Sequence, residues 1–64
     1  MAQRKNYIVN SKPGLNVRKS PSKDAQILRV LFDGEKVIVD NKTATPDGWK
    51  ALDGGGFVME IYLK

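Results

Sequence analysis

The stretch LNVRKSPS, residues 15–22, decides the fold, because it combines a short strand pattern with a proline stop. Leu15 and Val17 are two residues apart and therefore point to the same face of an extended segment. The opposite face carries Asn16 and Arg18. The stretch predicts a β-strand with one buried face and one polar face.

The residues Lys12-Pro13-Gly14-Leu15 lead into this strand and predict a type II turn. Such a turn uses the fixed φ of proline at its second position and a positive φ, which glycine adopts freely, at its third position. At the other end, Pro21 interrupts any further strand ladder. The strand is therefore bounded by turns on both sides.

The length of the chain, 64 residues, allows one small domain. A domain of this size buries only about 60% of the surface that its unfolded chain exposes, so we expect modest stability. We assign residues 1–6 to a disordered tail and residues 7–64 to the domain, which we expect to be monomeric. No stretch approaches the roughly 20 apolar residues of a membrane-crossing helix, so we expect no membrane span.

The net charge is +4, from 11 Lys and Arg against seven Asp and Glu, and this favours anionic partners. The basic residues are spread along the whole sequence, and their longest uninterrupted runs are the pairs Arg4-Lys5 and Arg18-Lys19. This spread indicates a solvated surface rather than a dedicated track for an anion. We therefore do not expect nucleic acid as the main partner.

The chain contains no cysteine and no histidine, so it has no nitrogen or sulfur ligand for zinc or iron. We expect no metal site and no cofactor. A nucleophile such as Ser20 or Ser22 would need a lysine base, and neither serine stands in a catalytic motif. The run Gly54-Gly55-Gly56 is not followed by Lys-Ser/Thr, which argues against a phosphate cradle. We therefore expect no enzyme.

Short strand patterns recur along the chain, each bounded by turn residues. Asp33-Gly34 predicts a tight turn between two apolar runs, residues 41–48 an exposed loop, and Asp53–Gly56 a hairpin whose glycines supply positive φ. The expected strands lie at residues 6–9, 15–18, 27–32, 36–40, 49–52 and 57–58, with a single helical turn at residues 59–61 before Tyr62-Leu63 closes the chain.

The run from Ile27 to Phe32 is apolar at five of six positions, so its buried face is ambiguous. Strict alternation from a buried Leu31 would also bury Arg29, and an unpaired guanidinium is too costly to bury. A β-bulge near Val30 would resolve the conflict.

Five or six short strands separated by frequent turns predict a small all-β domain. At this length we expect a partly open barrel rather than a sandwich, because closing one sheet on itself removes the exposed edges that two small sheets would leave. The first and last strands are expected side by side.

Five motif pieces, in this order and spacing, resemble a bacterial SH3-like domain. They are LNVR with the following PS in residues 15–22, LFDG at 31–34 leading into Val37 and Val39, GWK at 48–50, GFV at 56–58, and YL at 62–63. The resemblance covers residues 7–63. It implies a five- to six-stranded, partly open SH3-like barrel that serves as a binding module, most often appended to cell-wall hydrolases and other envelope proteins.

The resemblance also implies a ligand from the bacterial cell wall, such as a peptidoglycan peptide or glycan, and a location in the cell envelope or outside the cell. The start of the chain shows no signal-peptide pattern, so the compartment stays open.

The candidate ligand contacts are aromatic. Trp49 follows a turn at Pro46-Asp47-Gly48, which places its ring near a loop. We expect a groove lined by Trp49, Tyr62 and Phe57, with Tyr7 close to Tyr62 if the terminal strands pair. The alternative is that these rings only pack against the small core.

Arg18 is the fifth candidate contact, because a guanidinium binds a ligand carboxylate in a bidentate geometry. The alternative is a structural role, in which it pairs with Asp24 or Glu60 or holds a carbonyl of the following loop. For Asn16 we expect a structural hydrogen bond to the backbone of the turn.

The leading hypothesis is therefore a non-catalytic binding module for a cell-wall peptide or glycan. The alternative is a protein-interaction or assembly module of an intracellular or phage complex, for which the outward-facing apolar residues Phe32 and Ile38 would supply contacts. A third alternative is a basic barrel that binds nucleic acid through its five aromatic residues.

Overall fold

The computed structural model describes residues 4–64, which form six β-strands and one 3-10 helix. The all-β prediction is therefore confirmed. The strands are β1 (Arg4–Ile8), β2 (Gly14–Arg18), β3 (Ile27–Phe32), β4 (Lys36–Asp40), β5 (Trp49–Ala51) and β6 (Phe57–Met59), and the 3-10 helix spans Glu60–Tyr62. This helix is the predicted helical turn, displaced by one residue.

The strands form two antiparallel sheets. One sheet pairs β1 with β4, and the other has the order β3-β2-β6-β5. One single bridge joins Val39 of β4 to Leu52, the residue after β5, and another joins Val9, the residue after β1, to Leu63. The domain is thus compatible with a partly open barrel, and the bridge at Val9 confirms that the first and last segments lie side by side.

The core lies between the sheets and follows the period-2 alternation of the strands. Leu15 and Val17 are 4% and 0% exposed, and Val37 and Val39 are 8% and 0% exposed. The other members of this core cluster are Val9, Leu31, Leu52 and Val58. Every side chain of the cluster is aliphatic, so its cohesion comes from the hydrophobic effect and close packing.

The first strand begins at Arg4 and takes in residues 4–6, which the sequence pattern assigned to the tail. Arg4 is paired with Asp40 in the ladder between β1 and β4, and its Nε donates a hydrogen bond to Asp53 Oδ1 at 2.8 Å. This pairing orders a polar segment that has no hydrophobic pattern of its own. Residues 1–3 of the predicted tail lie outside the described residues.

The predicted type II turn before β2 is wrong. Gly14 has no positive φ and is the first residue of β2, and the Lys12-Pro13 peptide bond before it is cis. A Cβ at Gly14 would lie 2.7 Å from the backbone oxygen of Leu31 and 2.9 Å from Val30 Cγ1. Glycine is therefore required here by the close approach of β3 and not by backbone conformation.

The β3 strand is more exposed than its composition predicts, because Leu31 is its only buried residue. A bulge is present, but at Leu28 rather than near Val30: Val17 pairs with Arg29, Arg18 pairs with Ile27, and Leu28 is left over. Arg29 is exposed, as expected from the free-energy cost of burying an unpaired guanidinium.

The turn at Asp33-Gly34 forms but does not connect a hairpin. The N–H of Glu35 donates to the oxygen of Phe32 at 3.0 Å, as in a β-turn. Directly after the turn, Val9 exchanges backbone hydrogen bonds with Gly34 and Glu35 at 2.7 and 2.9 Å, which directs the chain to β1. Consequently, β3 and β4 belong to different sheets.

The second turn, over residues 53–56, does connect a hairpin, between β5 and β6. The positive φ expected of its glycines is confirmed at Gly55 and Gly56, with values of 102° and 92°. Across residues 4–64, no helix combines the length and the apolar character needed to cross a bilayer.

Candidate ligand-binding cleft

One cleft of about 260 Å³ brings together three of the predicted site residues, Arg18, Trp49 and Tyr62. We call it the aromatic cleft. Its lining also includes Ser11, Asn16, Lys23 and Met59. The cleft therefore combines two partly exposed rings with two cationic side chains.

The backbone around Trp49 is fixed on both sides. Its N–H donates to Pro46 O at 3.2 Å, and its oxygen accepts a hydrogen bond from the Thr45 hydroxyl at 2.8 Å. On the neighbouring strand, Met59 is paired with Trp49 and lines the same cleft. The indole ring is thus attached to an ordered strand end.

The 3-10 helix places the second aromatic side chain. The N–H of Glu60, its first residue, donates to Gly48 O at 2.8 Å, and the oxygen of Tyr62 accepts from the N–H of Asn10 at 2.8 Å. The helix is therefore tied both to the start of β5 and to the segment after β1. These bonds hold Tyr62 and Trp49 on the same side of the domain before any ligand arrives.

The two rings differ in their relation to the core. Tyr62 is half-buried and packs against the core cluster. Trp49 is also half-buried, but within residues 4–64 it belongs neither to the core cluster nor to the partly buried side chains packed on it. The alternative that Trp49 caps the core is therefore not supported by its packing.

Arg18 has the structural role that the sequence left open. Its Nη1 donates a hydrogen bond to the backbone oxygen of Ala25 at 2.9 Å, so the guanidinium holds a carbonyl of the following loop. In the described chain it forms no ion pair with Asp24 or Glu60. A guanidinium has five N–H donors, and this bond uses one of them.

The charge of the aromatic cleft is positive, because its lining contains Arg18 and Lys23 and no carboxylate. Lys23 is exposed and lies in the loop that Arg18 tethers. Positively charged side chains along a cleft attract anionic groups. The arrangement suits a ligand that has a carboxylate beside a flat or apolar part.

Sequence reasoning missed Ser11, Lys23 and Met59 as lining residues. No local pattern identifies Lys23, since its position depends on the tether between Arg18 and Ala25. Ser11 makes the hydrogen bond that was expected of Asn16: its hydroxyl donates to Gly14 O at 2.7 Å. Asn16 is exposed and lines the cleft instead.

Two predicted contacts lie elsewhere. Phe57 is half-buried on β6, where it is paired with Arg18 and Ala51, and it does not line the aromatic cleft. The remaining candidate, Tyr7, is paired with Val37 of β4 and lines a separate depression of about 400 Å³. Tyr7 and Tyr62 therefore line different clefts, although both pack against the core cluster.

The depression beside Tyr7 lies on the sheet of β1 and β4. Its lining includes Ile8, Ile38 and Lys64, and the Nζ of Lys5 lies 5.5 Å from the centroid of the Tyr7 ring. Ile8 and Ile38 are 37% and 45% exposed, which confirms the outward orientation predicted for Ile38.

The carboxylates of residues 4–64 form no group of three or more that would hold a metal ion. No protein-family model matches the chain, and no curated protein matches it either.

Proposed function

We propose that this domain is a non-catalytic binding module, and that its aromatic cleft recognises a peptide or glycan of the bacterial cell wall. The observation that carries the proposal is the convergence of Trp49 and Tyr62 with Arg18 and Lys23 in one cleft. The resemblance of the sequence motifs to bacterial SH3-like domains supports the choice of ligand.

The chemistry of the cleft fits such a ligand. Partly exposed aromatic faces pack against sugar rings and peptide planes, while their polar ends stay hydrated. The peptides of peptidoglycan carry carboxylates, for which Arg18 and Lys23 provide charge-assisted hydrogen bonds. At about 260 Å³ the cleft is slightly smaller than most small-molecule pockets, so it suits one sugar ring or one side chain of a longer ligand.

Cosedimentation of the purified domain with bacterial sacculi tests the proposal. The variants Trp49→Ala and Lys23→Glu remove a ring and reverse a charge of the cleft. Lys19→Glu is the matched control, because Lys19 is exposed on the same loop but does not line the cleft. We expect the Trp49 variant to weaken binding about tenfold or more, as for a central aromatic contact.

Binding that survives Trp49→Ala would place the ligand on another surface. Equal losses with Lys23→Glu and Lys19→Glu would indicate general attraction to an anionic wall rather than recognition by the cleft. An absence of cosedimentation with every wall type tested would contradict the proposal.

A second candidate function is a protein-interaction or assembly module, and the apolar surface supports it. Phe32 and Ile61 are 72% and 70% exposed, although phenylalanine and isoleucine side chains are usually buried. Light scattering and a pulldown from host lysate test this candidate. A monomeric mass at all concentrations, with no captured partner, argues against it.

A further inference from the structure

The strands β3 and β4 belong to different sheets and do not pair with each other among residues 4–64. A cleft of about 270 Å³ lies between them, lined by Arg29 and Leu31 of β3, by Lys36 and Val37 of β4, and by the carboxylates Glu35 and Asp53. We call it the strand gap. It shares no lining residue with the aromatic cleft.

The β3 side of the strand gap is a sheet edge. β3 is the first strand in the order β3-β2-β6-β5, so among residues 4–64 only β2 pairs with it. The N–H of Phe32 points away from β2 and donates to Glu35 Oε1 at 3.0 Å. Backbone groups of alternate residues face the same edge, so Val30 presents its N–H and C=O there without a neighbouring strand.

The β4 side is a second edge. The oxygen of Ile38 accepts a hydrogen bond from the N–H of Asp53 at 2.9 Å, on the side of β4 opposite β1. Lys36, two residues earlier, presents its backbone groups to the same side. Over residues 4–64 no strand pairs with Lys36 on that side. Two sheet edges with unpaired backbone groups therefore border one gap.

The charge of the strand gap is not balanced within the described chain. The lining holds two cations, Arg29 and Lys36, and two carboxylates, Glu35 and Asp53. Asp53 also forms an ion pair with Arg4 at 2.8 Å, so three cations face two carboxylates, and Glu35 keeps its charge while it accepts the Phe32 N–H. Arg29 and Lys36 have no carboxylate partner among residues 4–64. The gap thus attracts acidic groups, whereas a second copy of this chain would bring another net charge of +4.

The side chains beside the edge define the pattern of a matching strand. Arg29 lies on the face of β3 that also carries the buried Leu31, and the other face carries Val30 and Phe32, which are 53% and 72% exposed. Residues of an added strand alternate between these two faces. Acidic side chains on the Arg29 face and apolar side chains on the Val30 face would form favourable cross-strand pairs.

We propose that the strand gap binds an extended segment of a partner protein, in which acidic and apolar residues alternate. The segment adds a strand to the free edge of β3 by hydrogen bonding to Val30, and its carboxylates contact Arg29 and Lys36. The apolar residues cover Val30 and Phe32. This is strand addition, in which backbone bonds give affinity and alternate side chains give specificity.

The test uses a short fluorescent peptide that alternates glutamate and valine, with its anisotropy measured against the purified protein. Two further peptides have the same sequence but carry N-methyl groups on alternate residues, one on the odd and the other on the even positions. Each methylated peptide therefore lacks the N–H donors of one edge of the extended strand. We expect the parent peptide to bind and at least one methylated peptide to bind about tenfold more weakly, as for lost backbone hydrogen bonds.

Protein variants locate the site. The double change Arg29→Glu with Lys36→Glu should weaken the parent peptide about tenfold or more. The matched control, Lys12→Glu with Lys19→Glu, makes the same change in net charge at exposed residues outside the gap and should change affinity less than about twofold. Amide exchange at Val30 should slow when the parent peptide binds.

Any one of four results would overturn the inference. The parent peptide does not bind, or both methylated peptides bind as tightly as the parent. Alternatively, the two double variants lose equal affinity for the parent peptide, or self-association without peptide protects the Val30 amide from exchange. The methylated peptides use the unchanged protein, so the outcome does not depend on how the variants fold. Trp49→Ala should leave peptide binding intact, which separates this site from the proposed wall-binding cleft.

Discussion

The Nη1 of Arg18 donates a hydrogen bond to the backbone oxygen of Ala25 at 2.9 Å, which ties the end of β2 to the loop before β3. The N–H of Lys19 donates to Gln26 O at 2.8 Å in the same region. Together the two bonds close the neck of the loop that carries Lys23. One arginine therefore supports both the fold and the aromatic cleft.

Arg18→Ala should lower the free energy of unfolding by about 1–3 kcal/mol, because it removes a charge-assisted hydrogen bond from a partly buried carbonyl. Urea denaturation measures the change, with Lys19→Ala as the control at a neighbouring exposed side chain, expected within about 0.5 kcal/mol of the original. Equal stability of the two variants would show that the tether contributes nothing.

Gly56→Ala should destabilise the domain by about 1–3 kcal/mol, the usual cost of a strained backbone. Gly56 has φ of 92°, and a Cβ there would collide with Val17 Cγ1. Gly54→Ala is the matched control on the same turn, because Gly54 has no positive φ and open space around its Cβ position.

Thermal denaturation of the Gly54→Ala and Gly56→Ala variants measures the two changes in stability. We expect Gly54→Ala to be neutral or slightly stabilising, since alanine reduces the entropy of the unfolded chain. Equal effects at Gly54 and Gly56 would contradict this account.

Asp40 should make stability fall in acid. The Lys42 N–H donates to its Oδ1 at 2.9 Å and the Thr43 hydroxyl to its Oδ2 at 3.0 Å. These hydrogen bonds, the first of them most strongly, hold the pKa of Asp40 below its ordinary value. A folded pKa below the unfolded one adds stability that is fully present above about pH 4 and is lost as the pH falls through the folded pKa.

Carbon NMR titration of the Asp40 carboxyl group should give a midpoint below that of an unstructured peptide. Asp40→Asn should also flatten the decline of stability below about pH 4, whereas Asp47→Asn serves as the control on the same loop. A midpoint at or above the peptide value would contradict the prediction.

The ion pair of Arg4 with Asp53 should contribute little to the free energy of unfolding. Its side chains are 68% and 38% exposed, and pairs in such positions are worth about 0–1 kcal/mol. Arg4→Ala and Asp53→Ala should each change the free energy of unfolding by less than about 1 kcal/mol in urea, and high salt should remove the difference. A larger loss would mean that the pair holds β1 against the β5–β6 turn.

The alternation of apolar residues predicted the core correctly wherever a strand has one buried face. Leu15, Val17, Val37 and Val39 are all buried as their spacing indicates. The strand Ile27–Phe32 resisted this reasoning, because four of its five apolar residues are exposed and only Leu31 reaches the core. Composition alone does not distinguish a strand buried on two faces from an edge strand with exposed apolar residues.

Turn chemistry predicted where the chain reverses but not which strands pair. Asp33-Gly34 has the signature of a hairpin, yet the competing hydrogen bonds from Val9 place β3 and β4 in different sheets. The predicted contact residues come together only in part, because their positions depend on which strands pair. Arg18, Trp49 and Tyr62 converge in the aromatic cleft, whereas Tyr7 is removed from it by a pairing that local sequence does not encode.

Val9 forms a bridge with Leu63, and two hydrogen bonds join Ile8 to Lys64 at 3.0 and 2.8 Å. These contacts also affect the rate at which the chain folds. These contacts join opposite ends of the described chain, and such topology slows folding because a long loop must close first. During synthesis, β1 emerges before residues 63 and 64, and its outer edge stays unpaired until they have left the ribosome. Closure of the domain therefore waits for its last segment, and the nascent chain carries an open strand edge until then.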